Sequence, residues 1–248
     1  MPTKDRLLVG LAGQQNAGKS TTFNMLTGAN QHIANYPGVT VDKKSGAYRY
    51  EDRKVEVVDL PGTYSLTSFS LEERVTRDFL VNEKPEVIVN VVDASSLKRS
   101  LYLTFQVLEM GFPVVVALNM MDVAERNGIK IDIGRLQHRL GTDVIPTVGR
   151  RGKGKQELRK AIQDTAGRKG GKPLQITYEN LEPLIEDLRE KLAATELAVA
   201  YPVRWLAVKL VEGDSEAERI VRERLGASRD EIAFAEWIRN EFEQEHYM

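Results

Sequence analysis

A glycine-rich segment between an apolar run and a helical pattern constrains this chain more than any other feature. Residues 13–20 read Gly-Gln-Gln-Asn-Ala-Gly-Lys-Ser and directly follow the apolar run 7–12. Residues 20–26 then have helical spacing, and Gly28 closes the pattern. Gly13 and Gly18 let main-chain N–H groups turn towards phosphate oxygens at the start of a helix. The sequence therefore predicts a strand, a phosphate-binding loop and a helix.

The side chains of this loop have separate predicted tasks. Lys19 reaches the β and γ phosphates of a bound nucleotide, and the Ser20 hydroxyl is a ligand of Mg²⁺. The main chain around them cradles the phosphates. The residues predicted to contact the nucleotide here are Gln15, Asn16, Ala17, Gly18, Lys19, Ser20 and Thr21.

Strand and helix patterns alternate through the first two thirds of the chain. The β-branched runs 87–92 and 113–118 are typical of parallel strands buried on both faces, and residues 97–110 between them have helical spacing. This alternation predicts an α/β fold with an open, mostly parallel sheet that contains one antiparallel strand and is flanked by helices. The other predicted elements are a hairpin of strands 47–50 and 54–58, a strand at 143–146 and a helix at about 156–165.

Composition changes near residues 167–173, where glycine, lysine and proline cluster. We therefore predict two domains, a nucleotide-binding domain over 1–170 and a small all-α domain over 171–248. Trp205 and the apolar residues Leu206, Val208 and Leu210 are interpreted as core of the second domain. The predicted helices of this domain cover residues 181–192, 202–212, 215–225 and 228–244.

Overall composition excludes several classes of function. The 248 residues carry 35 basic and 36 acidic side chains, so a net charge of −1 gives no field that would hold the chain on nucleic acid or an anionic membrane. The absence of cysteine excludes disulfides and thiolate metal sites, and the three histidines lie too far apart for a ligand spacing. No apolar stretch approaches the length of a bilayer span, which predicts a soluble chain.

A second candidate motif, Asp59-Leu60-Pro61-Gly62, follows the predicted strand 54–58. An aspartate at the carboxyl end of a strand beside a phosphate-binding loop can hold Mg²⁺ through water, and the Gly62 N–H can reach a γ-phosphate. The alternative is that the strand-ending aspartate and the Pro-Gly pair form only a plain turn. Thr40, in the turn-rich stretch 35–40, could complete the Mg²⁺ shell only while a γ-phosphate is present, although threonines are also common in loops.

A third motif, Asn119-Met120-Met121-Asp122, ends the strand 113–118. An aspartate here can accept hydrogen bonds from N1 and N2 of guanine, groups that adenine lacks. The motif resembles the guanine-specificity motif of GTPases, with Met120 in place of the usual lysine, whose aliphatic stem a methionine can imitate. The alternative is that Asp122 only caps a helix.

Four further segments accompany these motifs: the stretch 35–40, the sequence 59–66, Glu72-Glu73-Arg74 and the tail segment 201–214. Together with the motifs, they resemble the cytosolic G domain and helical domain of the bacterial ferrous iron transporter FeoB. The resemblance covers nearly the whole chain. It implies a domain that binds and hydrolyses GTP with Mg²⁺, and that regulates ferrous iron uptake through a membrane region of the same protein. It also implies a position at the cytoplasmic face of the bacterial inner membrane, and activation by K⁺ held by Asn16, which could otherwise hydrogen-bond only within its own loop. Oligomeric state is left open.

Three departures from related patterns accompany the resemblance. Gln14 and Gln15 replace the family's Asn-Pro before Asn16, and the base-contacting motif that is normally Ser-Ala falls at Gly149-Arg150. Thr63 stands where Ras-like GTPases have a water-positioning glutamine, so hydrolysis is predicted to be slow. The residues assigned to catalysis are Lys19, Asn16, Thr40 and Gly62.

Two alternative classes of protein are considered beside this one. A ribosome- or RNA-associated GTPase would usually carry a basic RNA-binding domain, whereas residues 174–248 are acidic where the first helix is predicted, which argues against nucleic acid as a partner. A nucleotide-dependent scaffold that does not hydrolyse GTP is the other alternative, and phosphate release distinguishes it from an enzyme.

Overall fold

The computed structural model describes residues 6–28, 31–36, 39–66, 70–168 and 176–224. The chain divides into two compact units, Met1–Leu174 and Gln175–Met248. The predicted domain boundary at residues 170 and 171 lies outside the described residues, so its position stays a prediction. Among the described residues, no helix is both long and apolar enough to cross a bilayer.

In the described part of the first unit, seven strands form one sheet in the order β2-β3-β4-β1-β5-β6-β7. Only β3 runs against the others, because it pairs antiparallel with both β2 and β4 while the remaining pairs are parallel. The predicted mostly parallel sheet with one antiparallel strand is confirmed. The strands are β1 (Arg6–Gly13), β2 (Gln31–Asn35), β3 (Asp42–Tyr50), β4 (Arg53–Asp59), β5 (Val87–Asp93), β6 (Val114–Asn119) and β7 (Asp143–Pro146).

Helices cover the sheet, and three of them were not predicted from the sequence. Helix α2 begins with a capping box in which the Ser70 hydroxyl accepts from the Glu73 N–H while the Glu73 carboxylate accepts from the Ser70 N–H. Helices α4 and α5 are short, and α5 buries only Leu140. The helices of this unit are α1 (Lys19–Thr27), α2 (Leu71–Glu83), α3 (Leu97–Glu109), α4 (Met121–Arg126), α5 (Ile133–Leu140) and α6 (Lys155–Gly167).

The core of this unit aligns the strand ends that carry the candidate site. Phe23 and Leu26 of α1 and Leu158 and Ile162 of α6 are buried in one apolar cluster with residues of β1, β4, β5 and β6. The carboxyl ends of the parallel strands therefore lie at one edge of the sheet, where ligands bind in open α/β folds.

The described part of the second unit is helical, as predicted. Its helices are α7 (Glu182–Ala193), α8 (Leu197–Ala200), α9 (Val203–Val211) and α10 (Ser215–Arg224), of which α8 was not predicted. Trp205, Leu206, Val208 and Leu210 are buried, which confirms their interpretation as core. The predicted helix 228–244 lies outside the described residues.

Arg204 is expected to be a main stabilising residue of the second unit. Its guanidinium lies 2.8 Å from carboxylate oxygens of both Glu182 and Glu186 and donates to the Ile176 carbonyl at 2.8 Å. Arg204→Met should lower the free energy of unfolding by about 1–3 kcal/mol, because it leaves these acceptors without their donor. Urea unfolding followed by tryptophan fluorescence measures this unit, since both tryptophans of the chain, Trp205 and Trp237, belong to it.

The difference in the free energy of unfolding between the parent and Arg204→Met should become smaller at acidic pH. Arg204 lowers the pKa of Glu182, so this contribution to stability is complete above the pKa of the unfolded chain and is lost as the pH falls through that of the folded chain. The exposed Arg222, changed to Met, is the matched control and should leave stability unchanged. An Arg204→Met variant as stable as the parent at neutral pH would contradict the assignment.

Candidate nucleotide site

Three strands end at the edge of the sheet where the phosphate-binding loop begins. β1 ends at Gly13, β4 at Asp59 and β6 at Asn119. The loop continues to Gly18, which precedes α1 in the left-handed conformation with φ of 85°. A Cβ on Gly18 would lie 2.2 Å from Nδ2 of Asn119, so both the backbone angle and the close approach require glycine. The loop and the end of β6 are therefore packed directly against each other.

The Asn119 side chain joins three segments of the site. Its Nδ2 donates to the Ala17 carbonyl at 3.0 Å, and its Oδ1 accepts from the Gly149 N–H at 3.0 Å and from the Thr147 hydroxyl at 3.3 Å. The residue is buried, so these bonds are protected from water. One amide thus fixes the phosphate-binding loop, the end of β6 and the turn after β7 relative to one another.

A cavity of about 140 Å³ lies between these segments. Met120, in the left-handed conformation, extends its Cε towards Gly18 of the phosphate-binding loop. Asp122 lies in the first turn of α4, while Met120 occupies the N-cap position, so the alternative that Asp122 is the helix cap is wrong. The lining residues are Gly18, Thr21, Asn119, Met120, Asp122, Val123, Val148, Gly149 and Arg150.

Charged groups in the cavity are paired. The Arg150 guanidinium donates to Oδ2 of Asp122 and holds the pKa of that carboxyl below its usual value. The turn that carries Arg150 is closed by backbone bonds from Arg151 to Val148 at 2.9 Å and from Gly152 to Gly149 at 3.1 Å. The Gly149 N–H is taken by Asn119, so it is not available to a ligand in this structure.

Charged side chains are also paired at the other end of the site, where the phosphate-binding loop meets the end of β4. Nζ of Lys19 donates to Oδ1 of Asp59 at 2.5 Å, and the two side chains are only 12% and 6% exposed. Gly62 approaches Gln15 closely, since a Cβ on Gly62 would lie 3.0 Å from the Gln15 Cγ. The structure therefore brings Asp59 and Gly62 to the phosphate-binding loop, as the second motif predicts.

The donor set at this end suits Mg²⁺. Within the described residues no group of three or more His, Cys, Asp or Glu side chains is arranged to hold a metal. Mg²⁺ in nucleotide sites does not need such a group, because it takes one or two protein oxygens, with phosphates and water completing its shell. The Asp59 carboxylate and the exposed Ser20 hydroxyl are oxygen donors of this kind, and Asp59 already lies against a cation, Lys19.

Thr40 and Asn16 are both exposed. Asn16 lies in the left-handed conformation, with φ of 64°, inside the phosphate-binding loop. No described hydrogen bond joins Thr40 to Lys19, Ser20 or Asp59 in this structure. The segment before Thr40 is nevertheless attached to the site, because the Tyr36 hydroxyl donates to the Asp59 carbonyl at 3.2 Å.

Sequence reasoning missed Tyr36 as a site residue. Burial raises its pKa, with the charges of Asp59 and Glu83 adding to the effect, so the phenol stays protonated and remains a donor. Its N–H donates to the Val41 carbonyl at 2.9 Å, which closes the turn around Thr40. A lone aromatic residue within the turn-rich stretch 35–40 was the signal that could have identified it.

The departures from related loops have structural counterparts. Gln14 is buried, and its Nε2 donates to the Arg99 carbonyl at 2.7 Å, which fixes a loop that lacks the family's proline. Thr63 is buried too, and its hydroxyl donates to the Ser65 carbonyl at 2.5 Å. This hydroxyl is therefore engaged within its own loop.

Comparison with protein families gives two matches that together span most of the chain. Residues 7–162 match the family described as "Ferrous iron transport protein B", and residues 178–248 match the FeoB cytosolic helical domain. A fusion of Fe(2+) transport protein A with the Fe(2+) transporter FeoB from Porphyromonas gingivalis is 45% identical over 229 residues, which are 90% of this chain and 27% of that protein. The Fe(2+) transporter FeoB of Escherichia coli K12 is 41% identical over 215 residues, 84% of this chain and 27% of that protein. The chain thus spans about a quarter of the length of these relatives.

Solved structures agree in fold. A mutant of S. thermophilus NFeoB bound to mGDP has a TM-score of 0.87 and 36% identity, over 97% of this chain and 90% of that one. The cytosolic domain of the T. maritima FeoB iron transporter in its GMPPNP form has a TM-score of 0.83 and 34% identity, over 96% of each chain. The fold is that of a P-loop GTPase domain followed by a helical domain, and the chain belongs to the ferrous iron transport protein B family.

Proposed function

We propose that this chain is the GTP-binding and slowly GTP-hydrolysing regulatory part of a ferrous iron transport protein. The observation that carries the proposal is the set of hydrogen bonds made by Asn119, which joins the phosphate-binding loop to the Gly149-Arg150 turn beside a cavity that Asp122 also lines. The related Fe(2+) transporters, and the related structures bound to mGDP or in a GMPPNP form, support the choice of nucleotide and of cargo.

At the base end, the Asp122 carboxylate would accept from N1–H and the exocyclic amine of guanine. The Arg150 N–H would donate to the base carbonyl, and Met120 would pack along the ring. A carboxylate that must be satisfied by donors selects guanine over adenine, because adenine presents an unprotonated N1 at this edge.

At the phosphate end, the main chain of residues 15–21 and the Gly62 N–H would bind the phosphates, and Lys19 would exchange Asp59 for the β and γ phosphates. Ser20 and Thr40 would ligate Mg²⁺, with Asp59 in its outer shell, and the ion would supply positive charge to the phosphates when bound. Thr40 would join only in the GTP state, and the hydrogen bond from Tyr36 to Asp59 would keep its turn within reach.

Hydrolysis would be slow without help, because Thr63 replaces a water-positioning glutamine and its hydroxyl is already bonded to Ser65. Asn16 is exposed in the phosphate-binding loop, where its side-chain oxygen can hold a monovalent cation. We assign K⁺ to this position, and it would supply the charge that an arginine finger provides in other GTPases.

In the full-length protein this part would lie at the cytoplasmic face of the bacterial inner membrane. Its partner would be the membrane-embedded transport region of the same protein, with Fe²⁺ as the cargo of that region. The near-neutral net charge of −1 supports a partner of this kind rather than nucleic acid.

Phosphate release from GTP, measured in potassium and in sodium buffers of equal ionic strength, tests the proposal. We expect turnover in potassium to exceed that in sodium by roughly 30-fold to 150-fold, which corresponds to about 2–3 kcal/mol at the transition state. Asn16→Ala should remove this difference and leave GTP binding largely intact, whereas the exposed Asn127→Ala should keep it.

The outcomes separate the parts of the proposal. GTP that binds but releases no phosphate in either salt would identify a non-hydrolysing scaffold. Equal rates in sodium and potassium would remove the cation from the mechanism. An Asn16→Ala variant that potassium still stimulates would remove this residue from the cation site.

A further inference from the structure

The ion pair in the base cavity joins two residues whose roles in nucleotide binding conflict. Asp122 is the proposed acceptor for guanine, yet its Oδ2 is already bonded to the Arg150 guanidinium, and both residues line the same cavity. The Asp122 side chain is 15% exposed and that of Arg150 is 59% exposed. The carboxylate is thus set into the cavity wall, whereas the arginine reaches it from the solvent side.

The guanidinium presents the same donors as the edge of guanine that Asp122 would recognise. In both groups a planar N–C–N unit directs two parallel N–H bonds at a carboxylate. Arginine forms this two-pronged contact with carboxylates readily because its fork is planar and rigid. Arg150 therefore offers Asp122 the hydrogen bonds that a guanine base would bring.

We propose that the Arg150 side chain is a built-in competitor of guanine, which occupies Asp122 in the empty site and must leave before the base can bind. The inference rests on the proposed guanine site and adds a residue that sets its affinity. Any contact present only in the empty state lowers ligand affinity by the stability it gives that state. Arg150 thus keeps guanine nucleotides exchangeable.

The backbone of the turn does not have to move for this exchange. It is fixed by the Gly149 N–H bond to Asn119 and by the two bonds that close the turn, so only the Arg150 side chain needs to rotate into solvent. The lowered pKa of Asp122 agrees with a carboxylate whose charge is satisfied in the empty site, and the charges of Arg151 and Arg126 act in the same direction.

Titration of the nucleotide-free full chain with a fluorescent GDP analogue tests the competition. Arg150→Met removes the donors and retains much of the side-chain volume, and it should tighten GDP binding by roughly 2-fold to 5-fold at low salt. The gain should diminish at high salt, because an exposed ion pair is screened. Arg151→Met removes the same charge from the same turn at a residue outside the cavity lining, and it should not produce this gain.

The same Arg150→Met change in an Asp122→Asn chain tests whether Asp122 is the residue that Arg150 contacts. In an Asp122→Asn chain the neutral amide holds a guanidinium weakly, so adding Arg150→Met should leave the affinity for xanthosine diphosphate unchanged. Unchanged or weaker GDP binding by Arg150→Met alone would overturn the inference. A parent chain that binds no guanine nucleotide would overturn the proposed function instead, so the two failures are distinguishable.

Discussion

Asp122→Asn is expected to change the preferred base from guanine to xanthine. In the proposed site the carboxylate would accept from two guanine donors, whereas an amide at the same place would present a donor to the position where xanthine carries an oxygen. A site built to hydrogen-bond one set of ligand donors and acceptors discriminates by about 10⁴-fold to 10⁵-fold against an analogue that lacks that set. We therefore expect the ratio of GDP to xanthosine diphosphate affinity to fall by roughly this factor, as measured by competition titration with both nucleotides.

The control for this experiment lies on the same helix. Glu125 is an exposed acidic residue of α4 that does not line the cavity, so Glu125→Gln removes the same charge without touching the base. It should leave the preference for guanine unchanged. Unaltered GDP affinity in Asp122→Asn would show that another residue reads the base.

Lys19→Ala is expected to lower GTP turnover, GTP affinity or both, with a combined loss of about 10²-fold to 10³-fold in kcat/KM. In the proposed site the lysine would bring a positive charge to the β and γ phosphates, and main-chain N–H groups alone would not replace that charge. Phosphate release over a range of GTP concentrations measures the loss.

The buried ion pair complicates this variant, because Lys19→Ala also leaves the Asp59 carboxylate without its donor. Thermal unfolding without nucleotide shows whether the variant is folded. Lys19→Arg, which retains the charge with a different geometry, provides a second variant and should still be impaired. The exposed Lys98→Ala should behave as the parent, and a Lys19→Ala chain that hydrolyses GTP at the parent rate would remove the lysine from its role.

The elements that the sequence predicts well are those in which local pattern and burial agree. The apolar runs of β5 and β6 are buried along their length, so composition alone identifies them. Strand β2 is exposed at every residue and pairs only with β3, so its sequence carries no alternation of burial that would distinguish it from a loop. Helix α2 carries six charged residues among thirteen, which obscures the apolar face formed by Val75, Phe79 and Leu80.

The candidate site divides in the same way. Motifs local in sequence, such as residues 13–20, are visible because their chemistry requires fixed spacing. Contacts between motifs are not visible: Asn119 bonds to a loop 102 residues earlier, and Tyr36 bonds to Asp59 23 residues later. The ion pair of Arg150 with Asp122 also depends on the start of α4 lying beside the turn after β7, so only the fold reveals it.

Family membership also bears on the alternative that the chain is a ribosome- or RNA-associated GTPase. Residues 178–248 match the FeoB cytosolic helical domain, whereas the alternative would place a basic RNA-binding domain in this region. The Arg204 ion pairs with Glu182 and Glu186 lie within this match, so part of the acidic charge noted in the sequence serves internal packing.

The hydrogen bonds of Asn119 couple ligand binding to the folding of the whole first unit. The bonds join Ala17 to Gly149 through a residue at the end of a central strand, so the cavity exists only once β1, β6 and the turn after β7 are assembled. An unfolded chain has no such cavity, and any ligand held there binds only the folded form. Each tenfold excess of ligand over its dissociation constant then adds about 1.4 kcal/mol to the stability of the unit. A nucleotide bound in this cavity would therefore raise the free energy of unfolding of the first unit.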